Sequence, residues 1–385
     1  MVNRRLLRIK AMKAIYAFKQ TERTDFELAM DFIDSQFLPD LNSMKPQNLT
    51  HLEGLKKLAK LEFEEFFKRK EDDSDVEIPI EAREATRKAI KMYQNSCYAE
   101  RNRLSKNVVA EVENLYTRYL QLLVLLNHLA EYAKSDEESR LLKNDLINYG
   151  KLAKNEIVLA LNSSQEFENQ CIRNSAEWTT NDLILVQQFY QDVLKTDKTF
   201  KEYCIKTTHT TEEDFQIVAY IYKNLIFKGV LIKDHFEEKD INWDENKGVL
   251  KSLVLKTIEL NNSKIQLQKL AYNWEDDKRF FFELFKKSMD NDAENEKEIF
   301  AKVKNWEDDR VALMDLIIMK MALTEMVHFA SIPVKVTINE YIELAKSFST
   351  PQSGKFVNGI LDYFAIEWQA NGKIKKSGRG LIDNK

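Results

Sequence analysis

The residues best placed to do chemistry are three arginines near the start of the chain, Arg4, Arg5 and Arg8. Residues 1–20 carry these arginines and three lysines but no acidic residue. Apolar residues at helical spacing predict a helix over residues 3–20, whose positive N-terminal end makes nearby cations unfavourable by about 0.3–1 kcal/mol each. A bound phosphate would use both the helix end and the guanidinium groups. The stretch therefore favours a polyanion such as RNA; the alternative is a solvated, frayed helix start.

Nothing in the sequence assembles a catalytic or metal site. There is no glycine-rich phosphate loop and no GxSxG motif, and the histidines are too scattered to form paired metal ligands. The five are His51, His128, His209, His235 and His328. Carboxylate pairs are common, but on polar helix faces they are typical of solvated surface. We therefore expect no enzyme, no metal and no cofactor.

The three cysteines, Cys97, Cys171 and Cys204, have no short spacing and form neither a zinc pattern nor a disulfide framework. They favour a reducing compartment, and we expect a cytoplasmic protein. An arginine-rich, acid-poor start is also compatible with a transit peptide. No run of 18 apolar residues occurs, so we expect no transmembrane helix and no membrane partner.

Composition predicts an all-α fold. The 385 residues include only nine glycines and five prolines, too few to form the turns of an all-β protein, and no proline lies between Pro79 and Pro333. The pattern predicts helices over residues 3–20, 25–38, 81–134, 141–173 and 182–205. Lys and Arg nearly balance Asp and Glu, giving a net charge of −4. Both ends are nevertheless basic, which indicates a local polyanion site on an otherwise acidic protein.

The C-terminal third carries the clearest local signals. Thr337 and Glu340 form a capping-box pattern that predicts a helix start at Thr337. A loop over residues 349–354 precedes a helix with Phe356 on its apolar face. Gly359 lies inside that helix, where glycine costs about 1 kcal/mol relative to alanine. A close approach of another backbone would explain this glycine.

A weak internal repeat is also visible. Asn-Trp-Glu-Asp-Asp occurs at residues 273–277 and 305–309, and the related Asn-Trp-Asp-Glu-Asn at residues 242–246. The pairs at 242 and 305 each precede an apolar helical run. Two related helical subdomains are one interpretation, and convergent helix N-caps are the other.

Together these residues resemble the NusB family of transcription antitermination factors. Residues 332–340 (Ile-Pro-Val-Lys-Val-Thr-Ile-Asn-Glu), 343–348 (Glu-Leu-Ala-Lys-Ser-Phe) and 355–362 (Lys-Phe-Val-Asn-Gly-Ile-Leu-Asp) follow the family's C-terminal signature. Residues 3–8 resemble its arginine-rich opening helix, and the stretch from Trp306 to Glu325 resembles the helix before the signature. The likeness covers about residues 3–20 and 277–365, and ordinary members are much shorter.

The resemblance implies an all-α, NusB-like helical bundle with inserted helices. It divides the chain into an N-terminal part (1–38), an inserted helical region (39–205), a C-terminal NusB-like domain (206–370) and a basic flexible tail (371–385). It also implies binding of single-stranded boxA-type RNA from ribosomal RNA leader transcripts. The protein partner would be NusE, a ribosomal protein, within the antitermination complex of RNA polymerase.

Site residues follow from the resemblance by position. Those expected at the RNA are Arg4, Arg5, Arg8, Lys355 and Phe356. Those expected on the NusE side are Tyr16 and Asp315. Packing in the core is the alternative for Phe356 and Tyr16.

Two other functions are compatible with the sequence. One is a helical protein-interaction scaffold without RNA binding, which the acidic middle of the chain favours. The other is an accessory domain of RNA-modifying machinery, since some ribosomal RNA methyltransferases carry a NusB-like domain. No cofactor-binding pattern follows residue 365, which argues against the second.

Overall fold

The structure is a computed structural model that describes residues 1–42, 46–69, 78–143, 147–260, 264–303 and 311–384. Within these ranges the chain forms fifteen α-helices with short 3-10 and π-helical segments and no extended strand. The predicted all-α class is therefore confirmed. The chain divides into a middle unit (Met1–Asn3 and Val109–Asp277) and a terminal unit (Arg4–Val108 and Lys278–Lys385).

In the terminal unit, α1 runs over Arg4–Gln36 as one helix of 33 residues. The prediction of two helices, 3–20 and 25–38, was wrong because the polar stretch between them contains no helix breaker. The Thr21 and Thr24 hydroxyls donate to the carbonyls of Ala17 and Gln20, one turn earlier. The polar side chains are thus accommodated without ending the helix.

The second half of α1 packs with two further helices of the terminal unit. These are α2 (Leu49–Arg69) and the first part of α3 (Ile80–Lys143). Their shared core is aromatic: the Phe26 ring lies 5.1 Å from Phe63 and 6.1 Å from Tyr93, measured between ring centroids. Buried alanines let the helices approach closely around these rings.

Among the described residues, five α-helices form the C-terminal part of the terminal unit. They are α11 (Trp274–Asp290), α12 (Asp292–Val303), α13 (Leu313–His328), α14 (Val334–Phe348) and α15 (Ser353–Ala370). Every residue of α13 from Asp315 to Met326 is buried. Because α1, α12, α14 and α15 all pack against it, α13 is the centre of this unit.

The predicted capping box at Thr337 was wrong. Helix α14 begins three residues earlier, at Val334, with Pro333 as its N-cap residue at φ −59°. Proline has no N–H to leave unsatisfied at a helix start, so it can begin this helix. Thr337 and Glu340 consequently lie inside α14, and the Thr337 hydroxyl is free for a partner on another helix.

The middle unit is built from shorter helices and the rest of α3. They are α4 (Glu156–Asn162), α5 (Gln165–Arg173), α6 (Thr180–Gln188), α7 (Lys198–Ile205), α8 (Thr211–Tyr220), α9 (Val230–Lys239) and α10 (Trp243–Ile258). The single helices predicted over 141–173 and 182–205 are each broken. Asn155, Ser164 and Asp197 cap new helices through their side-chain oxygens and so set the breaks.

Two pairs of helices recur at nearly the same spacing along the chain, whereas the starts of α10 and α13 are 313 − 243 = 70 residues apart. From the start of α8 to that of α11 is 274 − 211 = 63 residues, and from α9 to α12 is 292 − 230 = 62. At Asn242 the convergent-cap interpretation fails, because its side chain makes no cap and instead donates to Glu111 Oε1 at 2.8 Å. Residues 305–309, the other copy of the motif, lie outside the described residues.

Candidate nucleic-acid interface

The N-terminus of α1 presents two arginines at the surface of the terminal unit. Arg4 is half-buried, with its guanidinium carbon 4.9 Å from the centroid of the Phe280 ring. The Arg5 side chain is 43 % exposed, and its Nη2 lies 3.6 Å from Glu343 Oε2. Glu343 also accepts a hydrogen bond from Lys346, and these two cations lower the pKa of its carboxyl. The Arg5 contact is long and open to solvent, so a stronger anion can replace it.

Arg8 occupies a different environment, because it is buried against the carboxylate of Glu325. Arg8 Nε donates to Glu325 Oε2 at 2.8 Å, and Arg8 Nη2 donates to Glu325 Oε1 at 2.7 Å. Glu340 adds a second carboxylate 3.6 Å away. We therefore revise the expectation that Arg8 contacts phosphate: its guanidinium is enclosed and already holds a bidentate partner.

Two hydroxyl groups also donate hydrogen bonds to Glu325. Thr337 Oγ1 donates to Oε1 at 2.9 Å and Tyr341 Oη to Oε2 at 3.1 Å. Burial alone would lower the pKa of Arg8, but the hydrogen bonds and charge of Glu325 outweigh it and raise that pKa. Burial and the Glu325 charge also raise the pKa of Tyr341. This cluster of four side chains links α1, α13 and α14.

One residue type in the sequence indicates this cluster, and the capping interpretation missed it. Glu325 is a charged residue inside the apolar run of α13, and such a residue requires a buried partner. The partner, Arg8, is 317 residues away along the chain.

At the other end of the proposed RNA surface, α15 carries Lys355 and Phe356 in its first turn. Lys355 is exposed and Phe356 is half-buried. The predicted backbone contact at Gly359 is not found, since a Cβ atom there would meet nothing within 4 Å in the part of the chain that the structure describes. Gly359 instead leaves an open surface one turn from Phe356.

The two residues expected on the protein-partner side differ in accessibility. The Tyr16 ring is 38 % exposed on α1. Asp315 is buried in the first turn of α13, and its Oδ2 accepts a hydrogen bond from Ser353 Oγ at 2.7 Å. Asp315 thus joins the N-terminal ends of α13 and α15 and is not itself an exposed contact.

A second buried ionic cluster holds α12. Lys320 Nζ lies 2.7 Å from both Asp292 Oδ1 and Glu296 Oε2. Lys19 of α1 contacts Asp292 Oδ2 at 2.8 Å. Burial would raise the pKa of Asp292, but the two ammonium groups outweigh it and lower that pKa.

No group of histidine, cysteine, aspartate and glutamate in the described ranges could hold a metal ion. No single described helix is long and apolar enough to cross a bilayer; α8 with the π-helical turn after it passes only together with α9, across a 68° bend.

Comparison with known proteins supports the resemblance over part of the chain. Residues 245–365 match the model of the NusB family. The chain is 42 % identical over 106 residues to the transcription antitermination protein NusB of Chloroherpeton thalassium, covering 28 % of this chain and 50 % of that protein. It is 40 % identical over 99 residues to that of Salinibacter ruber (26 % and 62 %) and over 80 residues to that of Dictyoglomus turgidum (21 % and 54 %).

These matches extend over only half to about three fifths of each relative's own length. No solved structure matches the chain.

Proposed function

We propose that this chain, whose residues 245–365 match the model of the NusB family, is a non-enzymatic transcription antitermination factor of the cytoplasm. It binds single-stranded boxA-type RNA of ribosomal RNA leader transcripts together with a NusE ribosomal protein, as part of the antitermination complex of RNA polymerase. The observation that carries the proposal is the pair of arginines that the Glu325 cluster holds at the N-terminus of α1.

Arg4 and Arg5 bind RNA phosphates in this proposal. Both lie at the N-terminus of α1, where the positive end of the helix dipole adds to their charge. A phosphate can replace the contact of Arg5 with Glu343, because that contact is long and exposed to solvent. Arg8 is the positioning residue: its buried pair with Glu325 fixes the first turns of α1 against α13. This arrangement explains why cations are concentrated at a helix end that disfavours them.

Lys355 and Phe356 supply the other half of the RNA contact. In this proposal a base stacks on the half-buried Phe356, a contact of about 1–3 kcal/mol per base. Gly359 leaves room beside it for the backbone of the RNA. Lys355, exposed in the same turn, pairs with a phosphate.

A protein partner completes the site. Three cations at phosphates predict a slope of only about −2 in log K against log salt, which indicates weak binding by this chain alone. Tyr16, exposed on α1, contacts NusE in the proposal. Asp315 stabilises that surface from inside the fold, since the hydrogen bond that it accepts from Ser353 fixes the start of α15.

The test is a titration of boxA-type RNA and a scrambled RNA with the protein, alone and with NusE from the same organism. Arg5→Ala is expected to weaken boxA binding and to make the salt slope shallower by about 0.7, the value of one phosphate contact. The matched control is Arg23→Ala on the same helix, whose side chain is 83 % exposed and pairs only weakly with Glu27.

An unchanged salt slope in Arg5→Ala would remove Arg5 from the interface. Absence of RNA binding both with and without NusE would overturn the proposed function and leave a protein-interaction scaffold as the better interpretation.

A further inference from the structure

The basic C-terminal segment is fixed to the terminal unit by several backbone contacts. After α15 ends, the Ile374 amide donates to the Trp368 carbonyl at 3.0 Å, and the Ile374 side chain is buried. The Ser377 amide donates to the Ala330 carbonyl, also at 3.0 Å. A 3-10 helix, Gly378–Asn384, follows. The segment therefore has a defined path across the turn between α13 and α14.

Two glycines make this path possible. Gly378 adopts a positive φ of 55°, a conformation that other residues rarely take. Gly380 is buried, and a Cβ atom at this position would lie 2.0 Å from the Ala330 carbonyl oxygen. Only glycine allows this approach, so the residue types of the segment match its docked position.

The docking point adjoins the arginines of α1. Lys376 Nζ donates to the Phe329 carbonyl at 3.0 Å, and the Phe329 ring packs edge-on against Phe280 with centroids 5.2 Å apart. The guanidinium carbon of Arg4 lies over that same Phe280 ring, 4.9 Å from its centroid. A short series of contacts thus connects Arg4 to the basic segment.

The charges of the segment divide into two sets. Lys373 contacts Glu294 and Glu298, and Lys376 is bound to a carbonyl. Lys375 and Arg379 are exposed and make no ion pair with any side chain that the structure describes. Residues 371–382 contain these four cations and no acidic residue, in a chain whose net charge is −4.

We propose that this docked segment extends the RNA surface, with Lys375 and Arg379 binding phosphates of nucleotides that flank the element held by Arg4 and Arg5. The inference rests on the proposed function and adds a second contact region to the same site. Residues 371–382 contain no aromatic side chain to stack on a base. The segment therefore contributes affinity and salt dependence but no base preference.

The test compares a minimal boxA-type RNA with the same RNA extended at either end by oligouridine, using the full chain with NusE. The double variant K375A/R379A is expected to bind the minimal RNA as the wild type does. On the RNA extended at the end that reaches the segment, its salt slope should be shallower than wild type by about 1.4, for two phosphates.

The matched control is R87A/K88A, which removes the same charge from two exposed positions of α3. Thermal melting of both variants checks that they fold. The inference would be overturned if R87A/K88A lost as much affinity for the extended RNA as K375A/R379A. It would also be overturned if the wild type bound the extended RNA no more tightly than the minimal RNA.

The outcomes also separate this inference from the proposed function. If Arg5→Ala weakens the minimal complex while K375A/R379A changes nothing on either extended RNA, only the role of the segment is overturned. If the wild type binds none of the RNAs, the proposed function is overturned as well.

Discussion

At the scale of single residues, the arrangement of the site depends on how one buried carboxylate is satisfied. Glu325 accepts two hydrogen bonds from Arg8 and one each from Thr337 and Tyr341. A fully satisfied buried pair adds little net stability compared with apolar residues, but loss of one partner leaves an uncompensated charge. The pair therefore determines where the first turn of α1 lies, and with it Arg4 and Arg5.

Replacing Arg8 should be far more damaging than replacing an exposed arginine. Arg8→Met is expected to lower the free energy of unfolding by about 3–5 kcal/mol, because it leaves Glu325 buried without its cation. Chemical denaturation measures this loss. Arg23→Met, on the same helix but exposed, should stay within about 0.5 kcal/mol of wild type. The double variant R8M/E325L should recover part of the loss; no recovery would argue against the pair as its cause.

The docked tail makes a separate prediction at the residue scale. Gly380→Ala places a methyl group against the Ala330 carbonyl and should release the segment. Limited trypsin digestion is expected to cut after Lys375, Lys376 or Arg379 faster in this variant than in wild type. Gly54→Ala, where a Cβ meets nothing within 4 Å, is the control. Equal cleavage rates in Gly380→Ala and wild type would contradict the docked conformation.

At the scale of helices, buried charges connect helices to one another. The sequence pattern could predict where helices lie in the chain, but not which helices make contact. Apolar spacing predicted α13 and α15, but it predicted two helices for α1, and the capping-box pattern predicted a wrong start for α14. The two errors have different causes, since polar residues in α1 bond within their own helix, whereas Thr337 bonds to another helix. The spacing of apolar residues shows which face of a helix is apolar, but it does not show which group a hydroxyl bonds to.

The Asp292 cluster should make the attachment of α12 dependent on pH. The pKa of Asp292 is lower in the fold than its usual value, so its contribution is fully present above about pH 3.9 and is lost as pH falls through the lowered pKa. Asp292→Asn should lower the free energy of unfolding by about 1–3 kcal/mol at neutral pH, because Lys320 then keeps only Glu296.

The free energy of unfolding of wild type and Asp292→Asn can be measured by denaturation between pH 7 and pH 2. The difference between the two values should become smaller as the pH falls. Asp290→Asn, two residues away and half-exposed beside Arg101, should show a small difference at every pH. A difference in Asp292→Asn that stays constant with pH would show that its charge does not contribute.

At the scale of the whole molecule, the sequence predicted the all-α fold class and a NusB resemblance that the family model supports over residues 245–365, but it could not predict the partners of the site residues. The exposed positions of Arg5 and Lys355 are compatible with their expected roles, whereas the burial of Arg8 depends on Glu325, 317 residues away. The repeated Asn-Trp motif was visible in the sequence, and the helix starts show that two pairs of helices recur at nearly the same spacing. Contacts between distant residues are fixed by packing, which a single sequence does not display.

Two of the three free cysteines give one readout for each unit. Burial raises the pKa of Cys97, in the terminal unit, to about 11, and that of Cys204, in the middle unit, to about 12. Each pKa unit lowers the thiolate fraction about tenfold, so a thiol reagent at pH 8 should react slowly with the native protein and quickly in denaturant. Single-cysteine variants followed by mass spectrometry measure each site. Reaction of native Cys204 at the rate of a free thiol would contradict its burial.

The separation of Arg8 from Glu325 also affects how the chain folds during synthesis. At about 5–20 residues per second, a ribosome needs roughly 15–60 s to add the 317 residues between them. Throughout that time the apolar side chains of α1, among them Leu7, Ile15 and Phe18, lack the helix that later covers them. The nascent chain therefore exposes a helix of 33 residues whose apolar face is not yet covered, and we expect a molecular chaperone to bind its first turns.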